Sequence, residues 1–178
     1  MSMIKCKDII IRNATVNDAV ILETWWNDGT IMAHAGFPNG TGQTAEEIAE
    51  KIKSDADKVH RRMIIELAGV PIGETNYHNI SDGIAEIGIK ICDFSKHNKG
   101  YGKIILSMLI SYLFDELSYE KIVLDTNRNN TRAQHVYEQL GFRKVRVREN
   151  SWRNQLGELQ SAVDYELIRD EFISYLSE

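Results

Sequence analysis

Between residues 84 and 125 the hydrophobic period changes twice, and this restricts the topology of the whole chain. Ile84–Cys92 (IAEIGIKIC) alternates, with Ile87, Ile89 and Ile91 on one face and Glu86, Gly88 and Lys90 on the other. A Gly-containing loop leads into a helix over Tyr101–Leu117, whose apolar residues cover more than half of its circumference, the pattern of a buried helix. Lys121–Asp125 (KIVLD) returns to strand. Two strands separated by a helix cannot form a hairpin; the helix crosses over and brings them parallel.

The flanking segments supply the rest of a sheet. Lys7–Arg12 (KDIIIR) reads as a strand and Val16–Trp26 as a helix. Residues 27–44, with Gly29, Gly36, Pro38, Gly40 and Gly42, read as a loop with at most a helical turn in its middle. Thr44 followed by Glu47 has capping-box spacing and opens a helix expected to reach Lys58. Arg62–Leu67 and Ile72–Asn79 read as strands joined by a turn at Ala68-Gly69-Val70-Pro71, and Ser81-Asp82-Gly83 forms the next turn. Downstream, Thr131–Leu140 reads as a helix stopped by Gly141, followed by strands at Arg143–Arg148 and Ser161–Ile168. The expected fold class is α+β: a mixed, mostly antiparallel sheet flanked by helices.

At roughly 100–200 residues per domain, a chain of 178 residues is expected to be one domain over 1–178. Its two cysteines, Cys6 and Cys92, are too far apart for a disulfide framework or a cysteine zinc site. His34, His60, His78 and His135 have no mutual ligand spacing, so no metal is expected. The net charge of −5, with Lys and Arg scattered among acids, argues against a nucleic-acid partner. The apolar uncharged run Ile104–Phe114 is 11 residues. A spanning helix needs about 20, so no membrane partner is expected. The N-terminal MSMIKCKD lacks the apolar stretch of a secretory leader, which predicts a cytoplasmic protein.

The segment His97-Asn98-Lys99-Gly100-Tyr101-Gly102-Lys103 carries the chemistry. It lies between a strand and the start of the buried helix. Amides that open a helix are unpaired and partly positive, and two glycines let backbone close around an anion such as phosphate. A tight turn into a helix explains the same residues equally well. The dinucleotide fingerprint is excluded because position 105 is Ile105 rather than glycine. The nucleoside-triphosphate loop is excluded because Lys103 is followed by Ile104 rather than Ser or Thr.

A second pattern lies downstream: Asn130-Thr131-Arg132-Ala133, then Tyr137-Glu138-Gln139-Leu140-Gly141-Phe142. Together the two segments resemble the GNAT superfamily of N-acetyltransferases. That family's loop reads Arg/Gln-x-x-Gly-x-Gly/Ala, and its later helix carries Asn, a small residue and Tyr-Glu-x-x-Gly-Phe. Ala85-Glu86-Ile87-Gly88-Ile89 also resembles a strand of the ribosomal-protein acetyltransferase branch. The departure is His97, where the family usually has Arg or Gln.

The resemblance implies an enzyme that uses acetyl-CoA as co-substrate and acetylates a primary amine by direct attack in a ternary complex. The acceptor would be a protein N-terminus or a small-molecule amine. The alternative is a CoA-binding sensor or interaction module without turnover. The loop His97, Asn98, Lys99, Gly100, Tyr101, Gly102 and Lys103 would hold the pyrophosphate, and Asn130 the pantetheine arm in addition to capping its helix. Amides near Ile89 and Ile91 would meet the oxyanion. Tyr137 would be the general acid, although on the apolar face of its helix it also reads as core. Glu86 would be the base, with Glu74 as rival and a solvated strand residue as the plain alternative. Trp25, Trp26, His34, Phe37 and loop 36–42 would frame the acceptor. Arg146, Arg148 and Trp152 read as a solvated strand face on a hairpin that could also close the cleft. The expected assembly is a monomer or homodimer.

Overall fold

The computed structural model describes residues 3–177; Met1, Ser2 and Glu178, at the ends of the expected 1–178 unit, lie outside the described residues. The elements are β1 (Met3–Cys6), β2 (Ile9–Asn13), α1 (Ala19–Trp26), α2 (Gly29–Met32), α3 (Ala45–Lys53), β3 (His60–Leu67), β4 (Val70–Ser81), β5 (Ile84–Ile91), α4 (Tyr101–Asp115), β6 (Lys121–Asn127), α5 (Thr131–Gln139), β7 (Arg143–Arg153) and β8 (Leu159–Ile168). The strands form one eight-stranded sheet in the order β1-β2-β3-β4-β5-β6-β8-β7. Only β5 and β6 run parallel, on either side of the α4 crossover; the other neighbours are antiparallel. The α+β class expected from the sequence is therefore the class observed.

Alternation along the central strands feeds two cores. Met63 and Ile65 pack with Ile87, Ile122, Leu124 and the apolar side of α4, including Ile105, Leu109 and Leu113. Ile64, between them in sequence, points the other way and packs with Leu22, Trp25, Ile48 and Ile52 of α1 and α3. The sheet is thus a layer between α4 and α5 on one face and α1 and α3 on the other.

Several boundaries differ from the sequence reading, each for a local reason. The first strand does not begin at Lys7: Lys7 sits in a turn at φ 53°, and the unforeseen β1 precedes it. The β3–β4 turn is only Ala68-Gly69, both with positive φ (50° and 80°), the geometry of a tight two-residue hairpin. Val70 and Pro71 already belong to β4, with Pro71 opposite a register shift at Ile65/Glu66. Helix α3 stops at Lys53, not Lys58, because Asp55 turns the chain: its carboxylate accepts from the Arg62 amide (2.9 Å) and pairs with the Arg62 guanidinium. The last hairpin is longer than expected. β7 is exposed along most of its length and so shows little alternation.

Two local devices hold the layers. Arg12 on β2 donates to Glu66 on β3 (2.7 Å) and to both oxygens of Asp18 before α1 (2.8 and 2.9 Å). Burial opposes the charged form of Asp18, but hydrogen bonds from Arg12 and Thr15 outweigh it and hold the carboxyl below its ordinary value. At the end of α5, Gly141 adopts φ 96°, and a Cβ there would stand 2.0 Å from the Glu171 carbonyl oxygen.

Gly141→Ala should cost about 2–4 kcal/mol through left-handed strain and this backbone clash, read as a lowered urea midpoint. Asp18→Asn should cost about 1–3 kcal/mol at neutral pH. A depressed carboxyl stabilises the fold above its unfolded pKa and loses that contribution as pH falls through the folded one. The gap between Asp18→Asn and the parent should therefore close below the ordinary value of 3.8, in urea titrations run across pH.

Candidate active site

β5 and β6 share only three register pairs: Ile84 with Lys121, Ala85 with Ile122, and Glu86 with Val123. Beyond Glu86 the strands part. A cleft of about 1080 Å³ opens there, walled by Gly88–Ile91 on one side and Asp125–Asn127 on the other. This edge of β5 offers backbone groups that no β6 residue takes among the described residues.

Tyr137 lies at the base of the opening. α5 places its ring against Phe142 and Tyr165, with ring centroids 5.8 Å away in each case. The residue is 7% exposed, and that exposure is to the cleft. Burial, with the charge of Asp125 adding to it, pushes the phenol up to about 12. The hydroxyl therefore keeps its proton at neutral pH. It is both a core residue and a potential proton donor, so the two readings of Tyr137 coexist.

One end of the cleft is built by the loop before α4. Gly100 is the N-cap residue in left-handed conformation (φ 82°), and no side chain caps the helix. A Cβ at Gly100 would meet nothing within 4 Å, and one at Gly102 would meet only Ile91 Cδ1 at 4.0 Å. The space beside both glycines is open, and the uncapped amides start the helix there. This fits a phosphate-bearing ligand. Asn130 caps α5 by accepting from the Ala133 amide (3.3 Å) and also lines the cleft. His97 bonds the Ile91 carbonyl through Nε2 (2.7 Å) and Arg132 through Nδ1 (2.7 Å).

The other end is framed by α2 and the turn after it, through Thr30, Ile31, His34 and Ala35, and by Trp152 from β7. Gly36 admits the indole: a Cβ there would stand 2.5 Å from Trp152 Cζ3. Gln155, in the β7–β8 turn, bonds loop 36–40 three times: its amide to the Gly36 carbonyl (2.8 Å), its Oε1 from the Asn39 amide (2.9 Å), and its Nε2 to the Gly40 carbonyl (2.9 Å).

Of the residues expected from the sequence, Ile89, Ile91, His97, Asn98, Gly100, Tyr101, Gly102, Lys103, Asn130 and Tyr137 line this cleft; Lys99 and Glu86 do not. Glu86 is exposed on β5 in the last residue pair before the strands separate. Glu74 is occupied: both its oxygens accept from Trp26 Nε1 (2.9 and 3.0 Å), and Lys90 lies 3.3 Å away. His34 reaches the cleft, whereas Trp25 is core and Phe37 does not line it. Sequence reasoning missed Asp125, which lines the cleft and whose carboxylate pairs with Arg148 (3.0 Å), itself held by Asp164. For Arg148 and Trp152 the sequence favours a solvated strand face over closure of the cleft, and the structure places both in its lining. Their only signal was membership of the last hairpin. No group of three or more His, Cys, Asp or Glu is placed to hold a metal among the described residues. No helix among them is long and apolar enough to cross a membrane.

Comparison with known proteins fits this geometry. A curated relative, an uncharacterised protein of Methanocaldococcus jannaschii, is 32% identical over 82 residues. That match spans 46% of this chain and 17% of the relative. Among solved structures, a GNAT-family acetyltransferase from Bacillus anthracis superposes with TM-score 0.79 at 21% identity, over 96% of this chain and 100% of that one. A spermidine N-acetyltransferase from Vibrio cholerae in complex with CoA and spermine gives 0.83 at 22%, over 93% and 98%. A ribosomal L7/L12 alpha-N-protein acetyltransferase in complex with coenzyme A gives 0.84 at 14%, over 96% and 99%. At these identities the likeness is one of fold. The sequence model of the acetyltransferase (GNAT) domain matches residues 8–143, from β2 to the start of β7 and so across both walls of the cleft; the chain belongs to the GNAT acetyltransferase family.

Proposed function

We propose that the protein transfers an acetyl group from acetyl-CoA to a primary amine, with the thioester lying where β5 and β6 part. One observation carries this reading: a phenol that keeps its proton, Tyr137, stands at the base of a cleft whose far end is an uncapped helix start with open space beside Gly100 and Gly102. The family membership supports it, as do two fold neighbours crystallised with CoA. Those neighbours act on spermidine and on a ribosomal protein, so a polyamine-like amine and a protein N-terminus are the acceptor classes to test first.

In this reading the amine nitrogen attacks the thioester carbonyl, and the oxyanion meets backbone amides released along the open edge of β5 at Ile89–Ile91. The C–N bond forms first; the tetrahedral intermediate then collapses with cleavage of the C–S bond, and the nitrogen, cationic after attack, loses its second proton to solvent. Tyr137 gives its proton to the departing CoA sulfur and is reprotonated from solvent. The amine must first lose a proton, since an alkylammonium has a pKa of about 10.4 in water. The acidic residue that lines the cleft is Asp125; Glu86, which does not, would take the proton only across water.

Tyr137→Phe keeps the ring packing and removes the proton. It should lower kcat by roughly 10²–10⁴-fold with acetyl-CoA affinity unchanged, measured by release of free CoA thiol over a panel of amines and peptide N-termini. Wild-type turnover with no amine in the panel, despite tight CoA binding, would favour the non-catalytic module instead. Asp125→Asn and Glu86→Gln separate the two bases. The variant that removes the base should be slow near neutral pH and recover at alkaline pH, where more amine is already neutral, and we expect this of Asp125→Asn.

A further inference from the structure

The loop departs from the family pattern at His97, and the geometry around that ring supplies what the departure removes. The two bonds of His97 fit only one ring form. Nε2–H donates to the Ile91 carbonyl at the end of β5, and Nδ1 offers its lone pair to an Arg132 N–H. Phe94 packs against the ring (4.7 Å between centroids) and fixes its plane. The imidazole therefore links the open end of β5 to a guanidinium on α5.

Arg132 is the second residue of α5, where the helix dipole is positive and a cation is unfavourable. An exposed guanidinium held there by a neutral imidazole gains little within the folded chain. It spends one N–H on His97 and keeps its other donors for a ligand. The nearby lysines are less well placed. The Lys103 ammonium lies 4.7 Å over the Tyr175 ring, directed to the C-terminal segment. Lys96 lines the cleft, but no hydrogen bond fixes it among the described residues.

We propose that Arg132, steered by His97, is the cation that meets the pyrophosphate of the acyl-CoA donor, and that His97 is a positioning residue acting through it. The guanidinium takes over, from α5, the place of the loop side chain that His97 replaces. The proposal rests on the acyl-CoA reading of the cleft. It separates the donor's anionic half from its thioester half: Arg132 serves binding of the first and has no part in the chemistry of the second.

The test is calorimetry with CoA alone, together with kinetics using acetyl-CoA and S-acetylpantetheine, which keeps the thioester and lacks the pyrophosphate. Arg132→Ala should weaken CoA binding roughly 10–100-fold, the range for charge-assisted hydrogen bonds, while kcat with saturating acetyl-CoA holds. Its kcat/KM with S-acetylpantetheine should match wild type. His97→Leu should show the same loss, and His97→Gln, which keeps one donor and one acceptor, should restore most of it. The double variant His97→Leu/Arg132→Ala should be no weaker than Arg132→Ala alone. Wild-type CoA affinity in folded Arg132→Ala, an equal loss toward S-acetylpantetheine, or full additivity in the double variant would overturn the proposal. Failure of the wild-type protein to bind CoA would overturn the acyl-CoA reading instead.

Discussion

β5 and β6 are clamped at one end and free at the other, and the site exists because of that asymmetry. Where the two strands begin, Ala85, Ile87, Ile122 and Leu124 lie beneath the apolar side of α4. Where they end, no ladder joins them. The crossover fixes what occupies the gap. A chain that leaves the end of β5 and must return to the start of β6 runs its helix back along the sheet. The N-terminus of α4 is thereby placed at the mouth of the opening. Ligands of open sheets with helical crossovers gather at such carboxyl ends for the same reason. Here the positive end of a buried 15-residue helix is delivered to the cleft by topology.

Electrostatics at the cleft differ from those of the chain as a whole. The molecule carries −5, yet the donor end of the cleft gathers Lys96, Arg132 and two helix starts. The acids that the sequence places on the central strands are mostly committed: Glu66 to Arg12, Glu74 to Trp26 and Lys90. Asp125 is tied on one side to Arg148 and open to the cleft on the other. Net charge describes behaviour in bulk solvent; the field at a reacting atom depends on which charges have partners nearby.

The legible parts of the sequence were those with a local physical cause. The alternation of Ile84–Cys92, the capping box at Thr44 and the apolar run of α4 each specify their element through neighbours in the chain, and each was found. The α4 end of the cleft was legible too, since loop 97–103 and α5 are contiguous segments, with Gly100 and Gly141 at positions of positive φ. The opposite end was not. It is assembled from α2 and from β7, more than a hundred residues apart, and Trp152 reaches it only because Gly36 leaves room. The place of Glu86 failed to emerge for a related reason. Alternation tells which face a strand residue occupies, but not how far along the strand its neighbour stays paired. The Arg132–His97 contact spans two elements and had no sequence signal beyond each residue's own oddity.

Gln155 joins β7–β8 to loop 36–40 at the α2 end of the cleft through three hydrogen bonds, all to the backbone of that loop. Because its partners are main-chain atoms, the span of that doorway is independent of which side chains the loop carries. Apart from Gly36 and Gly40, where a Cβ would meet Trp152 and the Asn27 backbone, the loop can change its side chains while these bonds keep the span. On the proposed function, acceptor preference would fall to side chains that line this end of the cleft, His34 and Trp152 among them. The backbone frame and the side chains inside it are separate parts of the fold, so under that reading the second could change while the first stays as it is.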